Sequence, residues 1–185
     1  MELDGKIIGI ISNAYEEVDY SGKKVEEIIT YKMQDALKMV KLDESIKSVL
    51  FDDLSSRDKN KVILASHLHD KEIRLVNFSK GMIKKDLEYF SSLFKRIANY
   101  NRKIILIDKN MELYLNCVDH IYIIENDKIV YETKNIFDNI LTKYVDVPKI
   151  VEFINTSSKN GIRLDYYREL DELLKAIYRI KSWDI

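Results

Sequence analysis

Short isoleucine-rich runs alternate with longer amphipathic stretches along almost the whole chain. The runs have the length of buried strands and are bounded by polar residues. They lie at residues 6–12, 72–78, 103–108 and 121–124. Helices placed between short buried strands are typical of a mainly parallel sheet with right-handed crossovers. We therefore predict an α/β fold that ends in an antiparallel edge hairpin, with its tight turn at Asn126 and Asp127.

Apolar residues recur at helical spacing between and after these runs. The helical segments are predicted at residues 28–40, 56–69, 87–98, 111–116, 136–141, 146–154 and 170–177. Asp146 is predicted to cap the helix that follows it, with Pro148 in the first turn, where its missing N–H costs nothing. Asn160 and Gly161 suit the left-handed residues that end a helix.

The composition excludes several classes of protein. A chain of 185 residues with 46% hydrophobic residues can bury one substantial core. Its 30 basic and 31 acidic residues nearly cancel, which argues against a general nucleic-acid binder. A single cysteine, Cys117, forms no intrachain disulfide, and the N-terminus lacks a signal pattern, so we expect a cytoplasmic protein. The apolar runs are shorter than a membrane span, so membrane contact is expected only through a partner.

Two strings of residues are similar to motifs of one known family: the segment 54–66, LSSRDKNKVILAS, and the segment 118–130. They resemble, in this order, the LSGGQ signature with its helix and the terminal strand pair of the ATP-binding-cassette (ABC) ATPases. By the same resemblance, residues 8–13 correspond to the Q-loop strand, residues 72–78 to the Walker B strand and residues 103–112 to the switch strand. The resemblance implies a P-loop NTPase core with a mainly parallel sheet.

The C-terminal part resembles one branch of this superfamily. Val145, Asp146, Val147 and Pro148, with Gly161 downstream, are similar to the C-terminal extension of energy-coupling-factor (ECF) transporter ATPase subunits. The resemblance divides the chain into an ATPase-like core, residues 1–143, and a small helical extension, residues 144–185. Within the core, residues 21–53 correspond to the helical subdomain, which in the family receives a helix of the membrane component.

The catalytic motifs of the family are missing or replaced. No GxxxxGKS/T phosphate loop is present, so neither clustered backbone amides nor a lysine would offset a triphosphate. At the Walker B position stand Asn77, which is neutral, and Phe78, which cannot accept a proton. Lys109 replaces the switch histidine and offers no acceptor nitrogen. The Q-loop glutamine corresponds to Asn13 or, with a one-residue slip, to Ser12.

The signature is degenerate as well. Leu54 and Ser55 are retained, but Ser56 and Arg57 replace the two glycines and Asp58 replaces the glutamine. Side chains at glycine positions obstruct the approach of backbone to a phosphate. Two interpretations of Ser55 remain: a helix N-cap, or a donor to the ATP of a partner chain.

Two hypotheses follow for function. The first is a pseudo-ATPase: an interaction or accessory subunit that needs neither ATP nor magnesium and pairs with itself, with an intact ABC ATPase subunit or with a transmembrane transport component. The alternative is an ATP-binding subunit that completes a composite site with a partner chain, with ATP and Mg²⁺ bound there.

No metal site is expected, because His67 and His69 would point about 200° apart on a helix. Without the family's N-terminal strand and helix, one side of the sheet should need covering from within or by a partner.

Overall fold

A computed structural model describes residues 3–181 of the chain. The strands are β1 (Ile7–Ile11), β2 (Glu72–Val76), β3 (Lys103–Ile107), β4 (His120–Glu125) and β5 (Lys128–Thr133). The α-helices are α1 (Val25–Ile28), α2 (Met33–Met39), α3 (Ser56–Ser66), α4 (Lys84–Ala98), α5 (Met111–Cys117), α6 (Lys149–Lys159) and α7 (Leu170–Lys181). Short 3₁₀ helices lie at Glu44–Ser48, Phe51–Asp53 and Asn139–Lys143.

The five strands form one sheet in the order β2-β3-β1-β4-β5. The first four strands are parallel, and β5 pairs antiparallel with β4 at the edge. The hairpin turns at Asn126 and Asp127, whose φ angles of 49° and 60° are those of the turn that matches the twist of a hairpin. The predicted α/β class, parallel sheet and edge hairpin are therefore confirmed. Because β1 is the middle strand, its carboxyl end lies at the centre of the edge where open α/β sheets bind ligands.

Successive residues of each strand face opposite sides of the sheet. In β1, Ile7 and Ile11 join the main apolar cluster, which the helices cover. Ile8 and Ile10 face a second cluster on the other side, which is built by strand residues and Leu3. Its members are at most 8% exposed in the single chain, although no helix in residues 3–181 contributes to it. This face is thus covered from within the chain, and it gives no argument for a dimer.

The helix predicted over residues 28–40 is wrong as a single element. The chain forms α1, which ends at Ile28, and α2, which begins at Met33. Between them Lys32 adopts a left-handed φ of 42°, which no residue inside a right-handed helix can take. Ile28 of α1 and Leu37 of α2, both in the predicted apolar stripe, are buried, so this stripe still faces the core on both sides of the break.

The start of α6 also differs from the prediction. Pro148 is the N-cap residue, with extended backbone at φ −54° and ψ 143°, and the helix begins at Lys149. The prediction that Asp146 caps this helix is wrong, because a residue before proline is disfavoured in the helical region and Val147 therefore separates Asp146 from the helix. At the other end Gly161 has the predicted left-handed φ, 82°, whereas Asn160, which was predicted to be left-handed too, has a φ of −89°.

The C-terminal helices pack on the sheet side that carries the other helices. Val151 and Ile154 of α6 and Leu173 of α7 belong to the main apolar cluster. Burying these three side chains contributes roughly 1.5–3 kcal/mol each, which attaches the segment firmly to the core. Within residues 3–181, no helix has the combination of length and apolar character that a membrane crossing requires.

Candidate functional site

A polar pocket lies at the carboxyl-terminal edge of the parallel strands, where β2 and β3 end. It has a volume of about 270 Å³ and is lined by Glu17, Asn77, Ser79, Lys80 and Asp108. These residues come from the segment after β1, the loop after β2 and the residue after β3. The carboxyl ends of neighbouring parallel strands meet at one edge, which is why residues so distant in sequence converge here.

Asp108 is the most buried charged group of this pocket, with 7% of the residue exposed. Its Oδ2 accepts a hydrogen bond from the Ser79 backbone N–H at 2.8 Å. Its Oδ1 accepts from the Ser79 hydroxyl at 3.0 Å and from the Asn110 N–H at 3.0 Å. The carboxylate therefore joins the loops that follow β2 and β3, and buried charge of this kind is stable only with such donors.

Tyr114 of α5 is fully buried and bonds to the backbone of Asp108. Its hydroxyl accepts from the Asp108 N–H at 3.0 Å and lies 2.9 Å from the Ile10 carbonyl oxygen and 2.8 Å from that of Leu106. One hydroxyl has one proton, so it donates to one carbonyl at a time. The ring lies against Gly9, where an added Cβ would be 2.6 Å from Cε2 of Tyr114. The glycine in β1 is therefore required by the ring that ties β1 to β3.

Glu17 belongs to the segment of residues 12–24, which follows β1 and reaches over this edge. Its Oε1 accepts a hydrogen bond from Asn77 Nδ2 at 2.8 Å and lies 3.8 Å from Lys80 Nζ. Asn77 holds a left-handed φ of 47°, and its backbone N–H donates to the Ile107 carbonyl. A carboxylate thus accepts from the Asn77 amide and lies within ion-pair distance of Lys80, two groups that an incoming anion would need.

The two residues at the predicted Walker B position point in different directions. Asn77 is exposed and lines the pocket, whereas Phe78 is 2% exposed and lies in the main apolar cluster. The ring of Phe78 packs edge-on against Phe90 at 4.9 Å and lies 5.5 Å from Phe94, between ring centroids. Phe78 is therefore a core residue, and an acid–base group could not reach the pocket from this side-chain direction.

The degenerate signature forms the start of α3. Ser55 is the N-cap residue: its Oγ accepts from the Asp58 N–H at 3.2 Å and donates to Asp58 Oδ2 at 2.8 Å. Nε of Arg57 lies 3.0 Å from Asp86 Oδ1, an ion-pair distance without hydrogen-bond alignment, and its guanidinium stacks over Tyr89 at 5.1 Å. The N-cap interpretation of Ser55 is thus seen directly, and Arg57 is held by α4.

The remaining predicted positions do not join the pocket. Lys109 follows Asp108 but is exposed, and Asn13 is exposed after β1. Within residues 3–181, neither side chain makes a hydrogen bond or ion pair. Ser12 accepts a hydrogen bond from the Ala14 N–H at 3.2 Å, a local turn. Of the predicted site residues, Ser56 lies near Gly81 in the loop after β2, Arg57 contacts α4, and only Asn77 lines the pocket.

Sequence reasoning did not single out Glu17, Ser79, Asp108 and Tyr114. Asp108 had a signal, since a carboxylate directly after a buried strand lies at the ligand-binding edge of an α/β sheet. Glu17 had none, because it sits in an irregular segment whose path depends on tertiary contacts. The helix predicted to run to His69 ends at Ser66, so His67 and His69 lie in the turn that follows α3. His67 Nδ1 lies 3.0 Å from Asp70 Oδ2, and His69 Nε2 lies 2.8 Å from the Tyr31 carbonyl oxygen. Among the described residues, no three metal-ligating side chains converge.

Burial keeps two acidic groups of α5 protonated. Desolvation raises the pKa of Tyr114 well above its ordinary 10.0, and desolvation raises the pKa of the Cys117 thiol from 9.0 to about 12. The unfolded chain loses the thiol proton from about pH 8 upward and the phenol proton from about pH 9 upward, while the folded protein keeps both. We therefore expect the contribution of these groups to the free energy of unfolding to be constant below about pH 8 and to fall above it, by up to about 1.4 kcal/mol per pH unit for each group.

This prediction is checked by urea unfolding at a series of pH values between 7.5 and about 11. The control is Cys117→Ala, which removes one of the two groups and should make the decline shallower. A Cys117→Ala variant with the same dependence on pH as the unmodified chain would contradict the contribution of the thiol.

The fold of the chain is similar to that of known ATP-binding cassettes. No protein-family model matches the chain. Its fold matches cbiO1 from Clostridium perfringens, part of the ABC transporter complex cbiONQ, with a TM-score of 0.51 and 16% identity over 79% of this chain and 66% of that one. It also matches the dimeric, post-hydrolysis structure of the ATP-binding cassette MJ0796 bound to ADP and Pi, with a TM-score of 0.53 and 14% identity over 69% and 62% of the two chains. The chain has the fold of an ATP-binding cassette.

A relative in sequence indicates which type of ABC ATPase the chain resembles. The chain is 30% identical over 142 residues to the energy-coupling factor transporter ATP-binding protein EcfA2 of Mycoplasma capricolum subsp. capricolum. The match covers 72% of this chain and 49% of the relative, so the chain corresponds to about half of that protein's length. The predicted resemblance to ABC ATPases, and to the ECF type among them, is confirmed: the chain has the fold of an ATP-binding cassette and is similar in sequence to an ECF transporter ATP-binding protein.

Proposed function

We propose that this chain is a non-catalytic member of the cassette fold that works as an interaction or accessory subunit. The observation that carries the proposal is Phe78. At the position that the family resemblance assigns to the general base, the side chain is 2% exposed and packed among Phe90 and Phe94. A base must lie within hydrogen-bond reach of the water it activates, and a buried aromatic ring can neither reach nor accept a proton.

The charge at the carboxyl-terminal edge supports the same proposal. A site for a triphosphate needs clustered N–H donors and cations. Here Glu17 and Asp108 place two carboxylates in one pocket, and the donors nearest to them are already bonded: Asn77 to Glu17, and Ser79 to Asp108. An incoming phosphate would meet like charge, and it would have to displace Glu17 to gain Asn77 and Lys80.

The names of the similar proteins suggest which partners to propose for this chain. The curated relative is named as an ATP-binding protein of an energy-coupling factor transporter, and MJ0796 was described as a dimer. Candidate partners are a second copy of this chain, an intact ABC ATPase subunit, or a transmembrane component that docks on the helical subdomain, residues 21–53. The protein would then act in the cytoplasm, at the inner face of the membrane when its partner is a membrane protein.

Calorimetric titration of the purified chain with Mg-ATP, combined with a phosphate-release assay, tests the catalytic half of the proposal. We expect no binding tighter than about 100 μM and no turnover, with an intact ABC ATPase as the positive control. Tighter binding by the chain alone, or turnover that is lost in Ser55→Ala, would refute the pseudo-ATPase.

The composite-site alternative is tested by adding an intact ECF ATPase subunit from the same host. If this chain completes a site in trans, Ser55→Ala should lower the ATP turnover of the mixture without reducing complex formation. We expect instead that turnover is insensitive to Ser55→Ala, since Ser55 already bonds to Asp58 as a helix cap. Native mass spectrometry of the same mixture reports whether the complex forms.

A further inference from the structure

A second polar cavity lies at the opposite edge of the sheet, where β1 and β4 begin. It has a volume of about 360 Å³ and is bounded by the ends of α4 and α5. Four cationic side chains line it: Lys6, Lys95, Lys134 and Arg168. A single carboxylate, Asp119, lies among them.

These four cations come from separate parts of the fold. Lys6 precedes β1, Lys95 lies in the last turn of α4, Lys134 follows β5 and Arg168 precedes α7. A lysine near a helix C-terminus is common, because it interacts favourably with the helix dipole, and this accounts for Lys95. It does not account for the other three, which are brought to one cavity by the tertiary fold. The chain as a whole carries a net charge of −1, so the local excess of positive charge is not a property of its composition.

Asp119 offsets one of these four positive charges and also has a structural role. Its Oδ2 accepts hydrogen bonds from the backbone N–H groups of Lys6 at 3.2 Å and Ile7 at 3.0 Å, so this oxygen fastens the start of β1. Lys134 pairs with Asp4 at 2.9 Å on the exposed surface. The charged groups of Lys6, Lys95 and Arg168 have no ion-pair partner within residues 3–181. Four cations against the two carboxylates Asp119 and Asp4 leave an excess of two positive charges, which a bound anion would offset.

We propose that this cavity binds a small phosphorylated molecule that carries at least two negative charges. The guanidinium of Arg168 matches the geometry of phosphate oxygens, and the lysines add mobile ammonium donors. The volume lies within the range of about 300–1,000 Å³ of small-molecule sites, which leaves room for more than one phosphate group. The cavity lies at the opposite edge of the sheet from the pocket of Glu17 and Asp108, so this binding is independent of the proposed loss of catalysis.

The probe for this site is inorganic pyrophosphate, titrated calorimetrically into the whole chain at about 50 mM salt, where ionic contacts are weakly screened. We expect saturable binding of one pyrophosphate per chain that weakens at about 250 mM salt. Lys95→Gln and Arg168→Gln should each weaken it about tenfold. Both side chains are exposed, so circular dichroism should show an unchanged fold. Lys128→Gln, an exposed lysine at the edge hairpin outside the cavity, is the matched control and should bind as the unmodified chain does.

Two results would overturn the proposal: no saturable binding at low salt, or equal affinity in Lys95→Gln, Arg168→Gln and the unmodified chain. Phosphate groups of anionic lipids share the chemistry of the probe, so vesicles of phosphatidylglycerol form a second arm. Vesicle binding that pyrophosphate competes away would support the same site with a lipid headgroup as its source. Vesicle binding that is unaffected by pyrophosphate and accompanied by no pyrophosphate heat would count against the cavity.

Discussion

Phe78→Glu is expected to unfold the protein rather than to create a catalytic base. Removing the ring from its contacts with Phe90 and Phe94 would alone cost about 3–5 kcal/mol, as for other buried phenylalanines. The new carboxylate would be desolvated among apolar side chains without a cation, which adds several kcal/mol more. Domains of this size are stable by about 5–15 kcal/mol, so the loss is comparable with the whole stability.

The measurement is thermal unfolding followed by circular dichroism, together with an ATPase assay. We expect no cooperative transition and no turnover for Phe78→Glu. Phe78→Leu is the matched control, since it keeps an apolar side chain in the core, and it should remain folded with a loss of about 1.5 kcal/mol. A Phe78→Glu variant that melts close to the unmodified chain would mean that this side chain can turn toward the pocket. Such a result would remove the main support for the pseudo-ATPase proposal.

Gly9→Ala should destabilise the fold through a clash with a single ring. The new methyl group would lie 2.6 Å from Cε2 and 2.9 Å from Cδ2 of Tyr114, closer than carbon atoms can approach. The ring cannot withdraw easily, because it is fully buried and its hydroxyl bonds to the ends of β1 and β3. Overpacking of this kind costs about 1–3 kcal/mol, and here we expect the upper end.

A double-mutant cycle with Tyr114 separates this clash from other effects of the methyl group. In a Tyr114→Leu background, where the ring is absent, Gly9→Ala should cost much less, giving a coupling of about 1–3 kcal/mol. In a Tyr114→Phe background the ring remains, so the cost of Gly9→Ala should stay close to its original value. Urea unfolding provides the free energies. Equal costs of Gly9→Ala in the Leu and Phe backgrounds would show that the strand, not the ring, requires glycine.

Periodicity predicted the strands well because their signal is local. A run such as KIILI at Lys103–Ile107 is apolar on both faces, which fits a parallel strand buried from both sides. The break between α1 and α2 was missed, because a pattern of apolar residues can continue across a left-handed residue such as Lys32. Capping at Asp146 was missed for a related reason: a good capping residue was available, but Pro148 determined where the helix could start.

The sequence by itself determined the alternating α/β pattern and the edge hairpin, and it predicts by resemblance that residues 77, 78 and 109 are Asn, Phe and Lys at catalytic positions of the family. Each of these depends on residue type and on spacing within one segment. The tertiary structure alone decided that Phe78 faces the core, that Glu17 meets Asn77, and that Lys6, Lys95 and Arg168 share a cavity. Side-chain direction and the meeting of distant segments depend on strand order and helix packing, which place residues far apart in sequence within a few ångströms of each other.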